Sequence, residues 1–145
     1  MKSLLLISCS RRKRRTRKRL PAIERYDGGA YRVIRKAQRE GSIRRKLDIK
    51  IISAKFGLID GTTITPFYEK RMTKDRAQEL NPQIRRALKM WMRRKSYSEV
   101  YVDLGQAYIV AIQGWTVPPN IKLLAGNGRI GERLRDLKRW LATSG

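Results

Sequence analysis

Residues 3–8, SLLLIS, form a short apolar run that ends at a polar and then strongly basic segment. A run of this length and composition is typical of a strand buried on both faces of a parallel sheet. Three later segments have a similar character, namely residues 47–54 (LDIKIISA), 99–104 (EVYVDL) and 121–125 (IKLLA). The sequence therefore predicts four strands.

Segments with helical periodicity alternate with these strands. They are residues 30–41, 75–95, 105–115 and 129–142. Pro82 predicts either a break in the second segment or a new helix capped by Asn81. Residues 55–73, between the second strand and this segment, are predicted to form a long connection. Alternating strands and helices predict a parallel sheet with helices on its faces. We expect residues 1–145 to form a single α/β domain, β-α-β-loop-α-β-α-β-α, with a roughly four-stranded, mostly parallel sheet flanked by helices.

A dense basic run follows the first strand. Residues 11–19, RRKRRTRKR, contain eight basic residues in nine, which predicts a solvated loop or arm over 11–20. The whole chain has 35 Lys and Arg against 12 Asp and Glu, a formal net charge of +23. Such a surface attracts polyanions. We expect a nucleic-acid partner, DNA rather than RNA, and no membrane partner, because the helices need their apolar faces for the core. No pattern predicts an oligomeric state.

The residue inventory argues against most cofactor chemistry. Cys9 is the one cysteine and the chain has no histidine, which excludes an internal disulfide, a zinc site of Cys and His, and Ser-His or Cys-His nucleophile pairs. No pair of acids has the spacing of a metal motif. Gly126-x-Gly128-x-x-Gly131 matches the dinucleotide fingerprint in form only, because no acidic residue follows about twenty positions later. We predict no cofactor and no metal.

Localisation signals are weak. The opening MKSLLLISCS has too short an apolar stretch for a signal peptide and leads directly into the basic run. No stretch approaches the roughly 20 apolar residues of a transmembrane helix. These features predict a cytoplasmic protein, and the Arg-rich composition without His predicts a thermophilic source.

Candidate binding residues cluster where the predicted strands end, which is where open α/β sheets bind ligands. Small, hydroxyl-bearing and basic side chains occur there, with Gly-rich turns whose N–H groups suit an anion. The predicted nucleic-acid- or phosphate-binding residues are Ser8, Ser10, Arg11, Arg12, Lys13, Arg14, Arg15, Arg17, Lys18, Arg19, Lys55, Gly105, Tyr108 and Arg129.

Asp103 closes an apolar strand in a chain that is short of acids. It fits a helix cap or an arginine partner first, and it also fits a carboxylate in the cleft that acts on water or a sugar. It is the candidate catalytic residue.

Phe67 and Tyr68 follow Pro66 in the long connection and precede a charged triplet. Aromatic side chains among cations are typical of single-strand sites, where they stack on splayed bases. We predict that both residues stack on a base.

Several motifs together resemble domains related to the bacterial peroxide-stress protein YaaA, over nearly the whole chain. The most specific is Ser-Ala-Lys-x-Gly-Leu at residues 53–58. The others are Ser-Cys-Ser-x-x-Lys at 8–13, Ile-x-Pro-Phe-Tyr-Glu at 64–69, Leu-Gly-x-x-Tyr at 104–108 and a Gly-to-Trp helix at 131–140. The resemblance implies an α/β fold like that of uracil-DNA glycosylases, and a link to DNA damage or base modification. This chain departs from the pattern in its denser basic run and in lacking the Asp and His of glycosylase loops.

These observations leave three hypotheses. The first is a DNA-binding protein linked to DNA repair, stress response or base modification, with the basic run tracking phosphates. The second is an enzyme acting on a nucleobase or N-glycosidic bond, a glycosylase or another nucleobase-processing hydrolase, in which Asp103 orients water or stabilises charge on the sugar. The third is an RNA- or ribosome-associated protein, for which basic arms are also suitable.

Overall fold

Five strands form one sheet in the order β3-β2-β1-β4-β5. The structure is a computed structural model that describes residues 2–126 and 128–143. The strands are β1 (Lys2–Ser8), β2 (Leu47–Ser53), β3 (Gly57–Asp60), β4 (Tyr97–Asp103) and β5 (Lys122–Ala125). Four of them are parallel, and β3 is antiparallel to β2. The predicted α/β class with a mostly parallel sheet is confirmed, with one strand more than expected.

The apolar run of β1 occupies the centre of the sheet because it is buried on both faces. Leu4, Leu5 and Leu6 are fully buried, and β1 pairs with β2 on one side and with β4 on the other. Side chains alternate between the faces of a strand, so a continuous apolar run fits only a strand covered on both sides.

The additional strand β3 lies in the segment that was expected to be a long connection. A tight turn leads into it, in which Ser53 Oγ accepts hydrogen bonds from the N–H groups of Lys55 and Phe56 at 3.2 and 3.0 Å. Gly57 has a φ of +76°, a left-handed conformation that glycine adopts without a steric penalty. The turn returns the chain beside β2, which makes β3 an antiparallel edge strand.

The described residues form five helices. They are α1 (Ala22–Arg25), α2 (Gly29–Glu40), α3 (Lys74–Arg94), α4 (Gln106–Ile109) and α5 (Ile130–Ala142). Tyr101 of β4 stacks with Trp140 of α5, whereas its neighbour Val100 belongs to a second buried cluster, against which Trp91 of α3 packs. Adjacent residues of a strand point to opposite faces, so α5 and α3 cover opposite faces; α2 lies beside α5. The predicted helix at 105–115 is only α4 followed by a 3₁₀ turn, Val110–Ile112.

Helix α3 is continuous through Pro82, so the predicted break or second start is wrong. Proline removes one backbone hydrogen bond to the residue four positions earlier. That residue, Gln78, is exposed, so water can satisfy its carbonyl group. Asn81 is not a cap: its Nδ2 donates to the carbonyl oxygens of Val110 and Gln113 at 2.9 and 3.0 Å, which ties α3 to the segment after α4.

Candidate nucleic-acid interface

The strand order reverses between β1 and β4, because the chain leaves β1 toward β2 on one side and leaves β4 toward β5 on the other. In open α/β sheets such a switch point opens a crevice at the carboxyl ends of the strands. A cavity of about 250 Å³ lies there, and its walls include Ser8, Cys9, Gly105 and Tyr108. The structure thus brings together four residues from two separate predicted loops.

Hydrogen bonds hold the ends of β1 and β4 together. Ser8 Oγ accepts from the N–H of Gly105 at 3.0 Å, and the hydroxyl of Tyr31 donates to the Ser8 carbonyl at 2.7 Å. The sulfur of Cys9 lies 3.0 Å from the hydroxyl oxygen of Tyr108. Ser8 therefore serves to join the two loops through its own hydroxyl.

Ser10 fixes the start of helix α2 at the mouth of this crevice. Its Oγ accepts from the N–H groups of Asp27 and Gly28, both at 3.2 Å, and donates to the Arg12 carbonyl at 2.5 Å. A Cβ atom at Gly28 would lie 2.9 Å from the Cβ of Ser10. This close approach explains the glycine, and the predicted site residue Ser10 binds the main-chain N–H groups of the two residues that precede the helix.

Asp103 lies in the crevice wall and forms an ion pair. Its Oδ1 accepts from Nε and Nη2 of Arg133 in α5 at 3.1 and 2.6 Å, and the residue is only 5% exposed. Asp103 is therefore the partner of an arginine in the structure. Its catalytic role stays a prediction. Arg133 lines the crevice. The predicted Arg129 instead lies exposed at the position before α5.

Tyr68 is buried, so the prediction that it stacks on a base is wrong. Its hydroxyl lies 2.6 Å from that of Tyr26 and 2.9 Å from Ser53 Oγ, a buried cluster of three hydroxyl groups. Lys13 Nζ lies 4.5 Å from the centroid of the Tyr68 ring, and Phe56 packs edge-on against it. Burial raises the pKa of Tyr26 to about 12, which keeps this hydroxyl protonated as a hydrogen-bond donor.

Phe67 remains accessible, with 37% of its surface exposed. The guanidinium carbon of Arg15 lies 4.9 Å from the centroid of its ring, a cation–π contact. Lys55 lies exposed in the turn between β2 and β3, with Nζ 5.6 Å from the Tyr68 centroid. Phe67 and Lys55 therefore both flank the buried hydroxyl cluster at the surface.

The backbone of the basic run is held by a buried arginine, Arg25. Its guanidinium group donates four hydrogen bonds to main-chain carbonyl groups and the residue is 2% exposed. The acceptors are the carbonyl oxygens of Arg14 (2.6 Å), Thr16 (3.0 Å), Lys18 (2.9 Å) and Thr65 (2.8 Å). The run is therefore a fixed loop rather than a mobile arm. Its main chain is folded around the guanidinium group of Arg25, and its basic side chains are exposed, except for the half-buried Lys13.

A larger cationic cavity adjoins the crevice. It has a volume of about 710 Å³ and shares Cys9, Ser10 and Tyr108 with the crevice wall. Five of its lining residues are cations and one, Glu69, is acidic: the cations are Arg11, Lys13, Arg15, Lys70 and Arg71. Burial lowers the pKa of Lys13 and outweighs the attraction of Cys9 and Glu69. Lys70 and Arg71 were not among the predicted binding residues, although only Glu69 separates them from Phe67 and Tyr68.

Comparison with known proteins adds a family. A family model matches residues 4–139, which is most of the chain. The chain belongs to DUF6884, a family of unknown function. The DUF6884 chain is also similar in structure to the crystal structure of AF0587, a protein of unknown function, with a TM-score of 0.58 and 13% sequence identity. The alignment covers 99% of this chain and 45% of that chain, so the DUF6884 chain spans less than half the length of that structure. No curated protein matches it in sequence.

A structural similarity at 13% sequence identity shows the fold alone. The chemistry of the DUF6884 site therefore has to be argued from its own residues. Within residues 2–126 and 128–143, no group of three or more Cys, Asp or Glu side chains could hold a metal ion. None of the described helices is both long and apolar enough to cross a membrane. The site offers hydroxyl groups, the carboxylates of Asp103 and Glu69, each paired with an arginine, and many cations.

Proposed function

We propose that this DUF6884 protein binds nucleic acid, DNA in preference to RNA, at the carboxyl edge of its sheet. The observation that carries the proposal is the fixed basic loop, residues 11–19, beside the switch-point crevice. Its cations contact phosphates, and the crevice takes a nucleotide at the strand ends. Links to DNA repair, stress response or base modification follow from the resemblance to YaaA-related domains and belong to the same proposal.

Pre-organisation supports this function. A basic run without fixed structure loses conformational entropy when it binds. Here Arg25 already holds the main chain, so only the long side chains lose freedom on binding. Several cations held at fixed spacing contact phosphates along one strand and release their counterions together.

Local charge also supports a polyanion. In the cationic cavity Glu69 pairs with Arg15 at 3.7 Å. The other four cations of the lining have no acid beside them in that lining. A further cavity of about 510 Å³ is lined by Arg17, Lys18, Arg19 and the exposed ring of Phe67. Cations beside an accessible aromatic ring suit a strand whose bases are unpaired.

The test is salt-dependent binding of labelled DNA by a loop variant. We expect Arg14→Ala, Arg17→Ala and Arg19→Ala together to reduce the slope of log affinity against log salt by about 2 for single-stranded DNA, since each phosphate contact contributes about 0.7. Affinity at about 0.1 M salt should fall by at least tenfold.

The matched control removes the same charge from α5, at three residues that line neither cavity beside the loop. Arg135, Lys138 and Arg139 are exposed on that helix, and their triple alanine variant should leave the slope nearly unchanged. Equal losses in the two variants would show that net charge alone, and not the loop, attracts DNA. Competition with RNA of the same sequence separates the DNA proposal from the RNA- or ribosome-associated alternative.

A second candidate, an enzyme acting on a nucleobase or N-glycosidic bond, is favoured by the position of Asp103 in the crevice wall beside Ser8 and Tyr108. We expect the wild-type protein to release a base from DNA that carries uracil, hypoxanthine or an oxidised base. Asp103→Asn should abolish that release and leave DNA binding intact, because asparagine retains the Oδ1 acceptor for Arg133. Base release at the wild-type rate in this variant would exclude a catalytic role for Asp103. Failure of the wild-type protein to release any of these bases would contradict the enzyme hypothesis.

A further inference from the structure

A second cationic groove lies on the α3 face of the sheet, away from the loop surface. It is formed by α3 and the segment 113–118 and encloses about 620 Å³. Its lining includes Arg85, Arg86, Lys89, Arg93, Gly114 and Trp115. Met72, which lines the first cationic cavity, lies just before α3. Lys89 lies about 22 Å along the helix axis from Lys74, the first residue of α3, at 1.5 Å per residue.

We propose that this α3 groove is a second nucleic-acid-binding surface, which takes a single-stranded segment with one base stacked on Trp115 and its phosphates on Arg86, Lys89 and Arg93. The proposal goes beyond the loop surface and does not require that surface to bind. It rests on three features of the groove, which are its charge, its fixed wall and its aromatic ring.

The charge of the groove is not balanced by any acid in its own lining. Four cations line it, all are exposed, and no acid does. Among residues 2–126 and 128–143 no ion pair involves any of them. Arg85, Lys89 and Arg93 follow one another at four-residue intervals, where like charges destabilise a helix. A polyanion in the groove would relieve this repulsion along about 12 Å of helix.

The wall of the groove is already assembled. Arg85 Nε donates to Asn81 Oδ1 at 2.8 Å, and Asn81 itself holds the carbonyl groups of Val110 and Gln113. Gly114 has a φ of +89°, and a Cβ atom there would lie 2.8 Å from Nη1 of Arg85. The guanidinium group therefore packs directly over the main chain of the segment, which fixes the distance between the two sides.

Trp115 supplies a rigid aromatic surface. Its ring lines the groove and also packs against both hydrophobic clusters of the core, so it is held in place and half-buried. A tryptophan beside arginines is the combination with which single-strand-binding proteins stack unpaired bases. A duplex offers no such base, which is why we assign the groove to a single strand.

The test uses single-stranded and duplex DNA of about 20 nucleotides as probes. Arg86→Ala, Lys89→Ala and Arg93→Ala together should reduce the salt slope for single-stranded DNA by about 2. The α5 triple variant, with the same loss of charge, should not. Trp115→Leu should weaken single-stranded binding by about fivefold to a hundredfold and leave duplex binding unchanged. Circular dichroism and urea unfolding verify that each variant is folded.

Fluorescence gives a direct readout of the stacked base. Single-stranded DNA should quench part of the tryptophan emission, and Trp115→Phe should abolish that quenching, because Trp91 and Trp140 lie in other environments. The proposal is overturned if the groove triple variant binds like the α5 variant. It is also overturned if poly-glutamate displaces single-stranded DNA equally well and Trp115→Leu has no effect.

The two surfaces are distinguished by their own variants. If the loop variant Arg14→Ala, Arg17→Ala and Arg19→Ala binds normally while the groove variant does not, the loop proposal fails and the groove stands. The opposite result leaves the loop as the binding surface and removes the groove.

Discussion

Replacing Arg25 by alanine should destabilise the protein by about 2 to 4 kcal/mol and release the basic loop. The guanidinium group satisfies four carbonyl groups, three of them in the loop, from a buried position. Hydrogen bonds to a charged donor contribute about 1.5 to 3 kcal/mol each, but the exposed loop can open and let water replace some of them. We therefore expect a cost well below the sum of the four bonds.

Urea unfolding measures the stability, and amide hydrogen exchange measures the loop. The N–H groups of Arg14 and Asp27, which bond to the carbonyl groups of Arg25 and Arg12, should exchange much faster in the variant. Arg39→Ala, an exposed cation on α2, is the matched control and should change neither quantity. Arg25→Lys should be intermediate, because an ammonium group has three donors and lacks the planar fork. Unchanged exchange in Arg25→Ala would mean that other contacts hold the loop.

Replacing Glu99 by alanine should cost about 3 to 5 kcal/mol, because it leaves a buried guanidinium group without its partner. The side chain of Arg44 is 2% exposed, and its Nη2 donates to Glu99 Oε2 at 3.3 Å. Trp140 Nε1 donates to the other carboxylate oxygen at 2.9 Å, and its ring centroid lies 4.3 Å from the Arg44 guanidinium carbon. The carboxylate thus joins α5 to the edge of β4 and to the segment before β2.

The Glu99 carboxylate also determines the direction in which the stability of the protein changes with pH. Burial acts to raise the pKa of Glu99, but the hydrogen bonds from Trp140 and Arg44 outweigh it and the net pKa is lowered. A lowered pKa in the folded state means that the contribution is present above the unfolded pKa, near 4.3 for Glu, and is lost as the pH falls through the folded pKa. Wild type should lose stability over this acidic range, and Glu99→Gln should lose less of it. Glu40→Gln, at an exposed pair with Lys36, serves as the control and should behave as wild type.

Sequence patterns predicted those parts of the fold whose signals are local. The apolar run of β1 and the strands predicted at 47–54, 99–104 and 121–125 were identified because a continuous or alternating apolar pattern depends only on the strand itself. Strand β3 was missed because it begins directly after a turn, and its antiparallel pairing with β2 defines it. Pro82 was expected to interrupt α3, but an exposed proline in a long helix costs a single hydrogen bond that water replaces.

The site was harder to predict because cations look alike in a sequence. Nothing near Arg25 distinguishes it from the many exposed arginines, yet its position under the loop makes it the buried one. Tyr68 and Phe67 are adjacent in sequence and were expected to act alike. The main chain turns one ring into the core and leaves the other outside, which depends on contacts with residues 13, 26 and 53.

The central position of β1 also determines the order in which the chain can fold during its synthesis. This strand emerges before the others, and its two neighbours are β2, which begins at residue 47, and β4, which begins at residue 97. One flank of the most apolar strand therefore stays without a partner until β4 has left the ribosome. Long-range pairing of this kind slows folding and exposes apolar strand edges to aggregation. Nascent chains that stall before residue 97 should depend on chaperones to stay in solution.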